Sequence, residues 1–211
     1  MPSLSEVIAR LAFLTTSPAV AGLVVTASLI ILLRDWRISL AALLAQYLLT
    51  GFLLTRLITP EVATVKTLVG ALIGLILYLT ARRIPRNRPD GLLIGQGTFA
   101  VSVPFRLLAL VLTGLVANSL LNSYLPPEVP KDIGFACYWL TLTGLLAMIS
   151  TPEPLKAGLG LLTFTAGFEL FYAALENSLS VMGFLGIINL FTALAIACLA
   201  LAREVEGMGE Q

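Results

Sequence analysis

The chain has 211 residues, of which 58% are hydrophobic and only 12% are charged. A soluble domain carries about 25% charged residues, so this composition predicts an integral membrane protein. The net charge of +1 argues against a nucleic-acid partner. The sequence contains no histidine, and Cys137 and Cys198 lie far apart in apolar runs. We therefore exclude His-ligated haem, Ser-His or Cys-His catalysis and CxxC-ligated clusters, and expect no cofactor and no bound metal.

Apolar stretches follow one another along the chain and approach or reach the length of about 20 residues that a membrane-spanning helix needs. Before the first stretch, residues 1–16 are predicted to form an interfacial start rather than a cleaved signal peptide, because "LAFLTTSP" is short and polar. The polar segments "RDWR", "RRIPRNRPDG", "LPPEVPKD" and "TPEP" separate successive stretches, and Pro60 opens the third. The predicted spans cover residues 18–34, 38–58, 61–81, 99–123, 133–150, 155–176 and 179–202.

These spans predict an all-α, polytopic membrane protein with about seven transmembrane helices in a single integral membrane domain, residues 1–211. The number becomes six if the first stretch only lies at the interface. Basic residues are shared unevenly between the two sides of the predicted bundle. Because cytoplasmic loops carry the excess of Lys and Arg, the N-terminus is predicted to lie outside and the C-terminus in the cytoplasm. The predicted cytoplasmic group comprises Arg34, Arg37, Arg82, Arg83, Arg86, Arg88, Lys156 and Arg203, against Arg10, Arg56 and Lys131 outside.

Lys66, Arg106 and Glu169 are charged residues inside predicted spans. A charge at membrane depth costs about 3 kcal/mol or more unless it is paired or hydrated, so each is a candidate functional residue. Lys66 is predicted to lie roughly 7–9 Å, and Glu169 about 10 Å, from the outer ends of their helices, which allows an ion pair or a water-bridged relay. Alternatively, Lys66 and Arg106 extend their charges to the headgroups, and Glu169 is a protonated, hydrogen-bonded packing group.

The sixth predicted span places further polar residues near Glu169. Thr165 lies one turn before it, and Tyr172 and Glu176 follow it at helical spacing. Glu176 is a further relay candidate, although its position at the end of the span favours an interfacial or loop residue. Elsewhere, Gln46 and Asn189 are predicted to hydrogen-bond across helices, which usually indicates packing. The pairs Gly70–Gly74 and Gly158–Gly160 suit close helix contact.

The stretch "AGFELFYAAL" resembles the Gly-x-Glu-Leu-x-x-x-Ala-x-x-Leu segment of the three-span K subunit of respiratory complex I. The C subunit of Mrp-type sodium/proton antiporters carries a similar segment. The last three predicted spans, residues 132–211, match the K subunit in size and orientation, and residues 1–131 add four spans. The whole chain resembles component E of hydrogenase-4-type membrane complexes. The spacing of Arg37 to Gln46, and "VKTLVG" followed by "TARRIP", are also similar to that family.

The resemblance implies a subunit without an activity of its own in a bacterial or archaeal inner membrane, beside large antiporter-like subunits. It implies that the subunit helps to connect proton-transfer sites laterally. Glu169 falls on the family's key carboxylate, and Lys66 falls near its lysine with a small shift. The second carboxylate that the family carries in the last span is missing, and Leu190 beside Asn189 takes its approximate place.

Our hypothesis from the sequence is a proton (or sodium) translocation subunit in which Lys66, and with it Glu176, tunes Glu169. Partner subunits would handle the electrons. The supporting polar residues would be Tyr172, Thr165, Gln46, Asn189 and Arg106. Two alternatives stay open: a purely structural membrane anchor, and a free-standing small transporter. The latter class usually shows internal repeats or broken helices, and we find neither in the sequence.

Overall fold

The computed structural model describes residues 18–33, 35–55, 57–58, 60–83, 103–151, 153–176 and 178–209. The predicted interfacial start and the polar loop after the third span lie outside these residues. Within them the regular structure is entirely helical, which confirms the predicted all-α class. The helices are α1 (Pro18–Leu32), α2 (Trp36–Leu54), α3 (Pro60–Arg83), α4 (Val103–Tyr124), α5 (Lys131–Ile149), α6 (Pro154–Leu175) and α7 (Leu179–Gly209).

Six of these helices, α2 to α7, are long and apolar enough to cross a membrane, so the chain is a multi-pass membrane protein. Helix α1 has 15 residues, or about 22 Å of rise, which is shorter than the hydrocarbon core of about 30 Å. Its Leu23 and Ala27 are nevertheless almost fully buried. Helix α1 is therefore an integral part of the bundle. The described residues contain the predicted series of seven helices, of which six are long enough to span a membrane.

The helices form two layers of three. Helices α1, α2 and α3 lie side by side, as do α5, α6 and α7, and the layers meet through the pairs α1–α5, α2–α6 and α3–α7. Helix α4 packs against α5 and α1 at one edge. The membrane-spanning windows of α2, α5 and α6 are 56% buried, against 28% for α3 and α7 and 11% for α4. Helices α2 and α6 thus form the centre of the bundle.

Facing helices of the two layers run in the same direction. Arg106 on the first turn of α4 donates from Nη1 to the carbonyl oxygen of Ile31, on the last turn of α1, at 3.0 Å. A small cavity there also brings together Ser150 after the end of α5 and Lys156 on the first turn of α6. Since short loops join consecutive helices within each layer, α1 is parallel to α5, α2 to α6, and α3 to α7. We call this side of the bundle the basic end; it also carries Arg37, Arg82, Arg83 and Arg203.

Glycines set the closest helix contacts. A Cβ atom on Gly144 of α5 would overlap the backbone of Phe164 in α6, and one on Gly160 would lie 2.9 Å from the carbonyl oxygen of Gly144. Between α2 and α3, a Cβ on Gly70 would lie 2.7 Å from the ring of Tyr47. The predicted close packing at Gly70 and at Gly160 is confirmed. Because backbone cannot move aside as a flexible side chain does, the α5–α6 contact tolerates no added volume.

We expect Gly144→Ala to destabilise the protein by about 1–3 kcal/mol, because the added methyl group forces α5 away from the α6 backbone. The measurement is the melting temperature of the purified full-length protein in mild detergent, followed by size-exclusion chromatography after heating. Gly186→Ala on α7 is the matched control, because its Cβ would meet nothing within 4 Å. The control should melt at the wild-type temperature or higher, since Ala favours a helix by up to about 1 kcal/mol over Gly. Equal melting temperatures for the two variants would contradict the close α5–α6 contact.

Candidate functional site

An ion pair lies inside the ring formed by α2, α3, α7 and α6. Lys66 is on the second turn of α3, and Glu169 is six residues before the end of α6, which places both about 9 Å from the end of the bundle opposite the basic end. Nζ of Lys66 pairs with Oε2 of Glu169, and the two side chains are 9% and 1% exposed. The sequence predicted that these groups lie at similar depth, and the structure brings them into direct contact.

The other carboxylate oxygen of Glu169 also has a donor. Asn189 on α7 donates from Nδ2 to Oε1 of Glu169 at 3.0 Å, and Asn189 is itself buried. Hydrogen bonds to a carboxylate are shorter and stronger than those between neutral groups, so the amide holds the carboxylate in one orientation. The family resemblance implied an acid near this place in the last span. Here Asn189 lies near that place, and its side-chain amide donates directly to Glu169.

The three residues come from three helices of the ring. Helices α3 and α6 each pack against α2 and α7, so they occupy opposite corners. The long stem of Lys66 bridges these corners, and Asn189 reaches Glu169 from the neighbouring corner. The arrangement therefore fixes the position of α6 relative to both α3 and α7 at the depth of the charge.

Gln46 and Tyr47 on α2 add buried polar atoms to the same ring. Gln46 is fully buried, and its Oε1 lies 3.5 Å from Oγ1 of Thr163 on α6. The Thr163 hydroxyl donates to the carbonyl oxygen of Leu159 in its own helix at 2.9 Å. The hydroxyl of Tyr47 is buried, and its ring lies against Gly70, one turn after Lys66 on α3. Sequence reasoning missed Tyr47, because an aromatic residue in an apolar run is usually a packing residue. The available signal in the sequence was that Tyr47 lies next to Gln46. Whether the Tyr47 side chain faces the interior, however, depends on where α3 packs.

Glu176 and Tyr172 form a separate, exposed contact. The hydroxyl of Tyr172 donates to Oε2 of Glu176 at 3.1 Å. Glu176 is the C-cap of α6 and has extended backbone angles, φ −145° and ψ 125°. Helical spacing therefore does not place it on the face of Glu169, and the structure does not bring it to the buried ion pair.

Thr165 and Arg106 also lie apart from the ion pair. The hydroxyl of Thr165 donates to the carbonyl oxygen of Leu162 in its own helix at 3.0 Å. Arg106 lies on the first turn of α4 at the basic end, whereas the ion pair lies near the opposite end. Its guanidinium instead donates to the carbonyl oxygen of Ile31 on α1.

The contact of Lys66 with Glu169 is suited to proton exchange. Among the described residues, no group of three His, Cys, Asp or Glu side chains is placed to hold a metal ion. An ammonium and a carboxylate in contact can exchange a proton: Nζ of Lys66 gives it to Oε2 of Glu169, and both groups become neutral.

Comparisons of the chain with protein-family models, with curated proteins and with solved structures gave no match.

We expect Lys66→Met and Glu169→Met to cost about 3–5 kcal/mol of stability each, because each change leaves one buried charge without its partner. The double variant should lose much less than the sum of the two, because no unpaired charge remains. The measurement is a double-mutant cycle of unfolding free energies in detergent micelles.

The pair Glu153–Lys156 serves as the control for this cycle. Its atoms are 3.5 Å apart, and the Glu153 side chain is 61% exposed. Exposed pairs contribute about 0–1 kcal/mol, so its cycle should give a small coupling energy. Additive losses at Lys66 and Glu169 would contradict a direct buried ion pair.

Proposed function

We propose that this protein is a non-catalytic membrane subunit of a complex I-like or group 4 hydrogenase-like assembly. In this role it contributes to a lateral proton (or sodium) translocation path and to scaffolding of large antiporter-like subunits. The observation that carries the proposal is the buried contact of Lys66 with Glu169. Well-packed apolar residues often stabilise a protein as much as a buried ion pair does, so stability alone gives little reason for one inside a membrane protein.

The surroundings of Glu169 support the same role. Its carboxylate is the acceptor that the resemblance implied for proton handling, and Asn189 holds it in place. Lys66 is the more exposed member of the pair, with 9% of its side chain exposed against 1% for Glu169. A proton that leaves the bundle laterally would therefore pass through Lys66, and Glu169 would be the proton-accepting group further inside. The electrons of the coupled reaction would be handled by partner subunits.

The outer surface of the bundle supports a place among other membrane subunits and lipids. Exposed apolar side chains cover the faces of α3 and α7 beside the ion pair, including Leu68, Leu72, Phe184 and Phe191. Contiguous exposed apolar surface of this kind marks contact with a bilayer or with a partner. In our proposal, antiporter-like subunits and lipid share these faces.

The grouping of basic residues supports an orientation for the proposed subunit. Arg37, Arg82, Arg83 and Lys156 belong to helix termini at the basic end of the bundle, and Arg203 lies on the part of α7 that reaches it. By the positive-inside rule this end would face the cytoplasm of a bacterium or archaeon, with the N-terminus outside and the C-terminus inside.

We expect Glu169→Gln to lower proton pumping by the assembly about tenfold or more, equivalent to a barrier increase of about 1.4 kcal/mol, because an amide cannot accept and release the proton. The measurement is acidification of inverted membrane vesicles from cells that express the variant. Glu176→Gln is the matched control, because Glu176 is an exposed acid on the same segment. Normal pumping and normal assembly of the Glu169→Gln variant would favour a purely structural anchor and contradict the proposed path.

We expect large antiporter-like subunits and an iron–sulfur or hydrogenase module to purify with the chain. The measurement is extraction in mild detergent through a tag at the C-terminus, followed by mass spectrometry. A monodisperse protein of 22.5 kDa without companions would contradict the subunit role. Ion flux through that isolated protein in liposomes would then identify a free-standing transporter.

A further inference from the structure

Two polar atoms on α2 lie deep in the bundle without a partner. Nε2 of Gln46 and the hydroxyl of Tyr47 have no hydrogen-bond partner among the described residues. The residues are 0% and 4% exposed, respectively. Folded proteins satisfy nearly all buried polar groups, and where protein atoms do not supply the partner, an internal water usually does.

These atoms continue the polar cluster toward the middle of the bundle. Gln46 reaches Thr163, which precedes Glu169 by six residues, or about 9 Å, along α6 toward the basic end. Tyr47 lies beside Gln46 in sequence, and its ring contacts Gly70, one turn after Lys66 on α3. Because α2 and α6 are parallel and helical side chains lean toward the N-terminus, Gln46, Tyr47 and Glu169 all lean in the same direction.

We propose that Tyr47 and Gln46 bind internal water that hydrogen-bonds to the Glu169 carboxylate, forming a hydrated site between α2 and α6. The Tyr47 hydroxyl and the Gln46 amide donate to this water, and the water donates to Glu169. A second cation is a poor occupant, because the ammonium group of Lys66 already lies against the same carboxylate. The hydrated site itself does not depend on the proposed function. Only its second role, which is to extend the proton path inward from Glu169, rests on that function.

The hydration site is tested on the purified full-length protein in lipid nanodiscs. Infrared difference spectra in ordinary water and in heavy-oxygen water record the bands of bound water, and Glu169→Gln identifies the bands of water that touches the carboxylate. We expect Tyr47→Phe and Gln46→Met to remove these bands. Tyr78→Phe is the matched control, because Tyr78 is 45% exposed, and the bands should persist in it.

The melting temperature of Tyr47→Phe is a second readout. If the hydroxyl binds water, its removal leaves the melting temperature unchanged or lower. If the hydroxyl is buried without any partner, its removal relieves a desolvation penalty and raises the melting temperature. Persistence of the water bands in Tyr47→Phe, or a higher melting temperature, would overturn the hydration site.

The second role is tested separately by pumping in inverted vesicles. We expect Tyr47→Phe to slow pumping several-fold while leaving the co-purifying subunits unchanged. Normal pumping by Tyr47→Phe beside deficient pumping by Glu169→Gln would overturn the inward path alone. Normal pumping by both variants would refute the proposed function. The hydration site would still be decided by the water bands, because they are recorded on the isolated chain without transport.

Discussion

The contact between an ammonium group and a carboxylate inside an apolar bundle is the constraint on which the polar interior depends. Each charge alone would cost several kcal/mol in this medium, so Lys66 and Glu169 must remain together. They do so from opposite corners of a four-helix ring, and Asn189 holds the remaining carboxylate oxygen. Apolar contacts between helices are non-directional. The directional polar contacts therefore set the register of α3, α6 and α7 at this depth.

Close backbone packing keeps that register rigid. Gly144 and Gly160 let α5 and α6 approach until backbone meets backbone, and Gly70 lets α3 lie against the ring of Tyr47. Interfaces of this kind have few alternative arrangements, because any shift creates either overlap or a void. Helix α6 is consequently held from two sides, and its carboxylate is presented to the interior at one place. A site for proton transfer requires this, because proton transfer depends on donor and acceptor lying within hydrogen-bond distance.

The interior is polar at two levels with different degrees of satisfaction. At the level of Glu169, one carboxylate oxygen pairs with the ammonium group of Lys66 and the other accepts a hydrogen bond from Asn189. One to two turns further in, Gln46 and Tyr47 each keep a donor without a protein partner. In the proposed path, protons would reach Glu169 through the water bound at Gln46 and Tyr47. The proposed function and the hydrated site thus concern the same column of polar groups. The proposed function concerns its outer part, and the hydrated site concerns its inner part.

The sequence by itself determined the all-α class, the order of the helices and the residues that merit attention at membrane depth. Hydrophobic length predicts spans directly, and a charge such as Glu169 is conspicuous in an apolar run because its cost does not depend on the fold. The tertiary structure decided which groups meet. The heptad spacing to Glu176 was misleading because α6 ends before it, and Tyr47 was indistinguishable from a packing residue. The partners of Glu169 are Lys66, on a helix distant in sequence, and Asn189, on the next helix. The sequence does not show which helices become neighbours, because many arrangements of apolar faces have nearly equal energies.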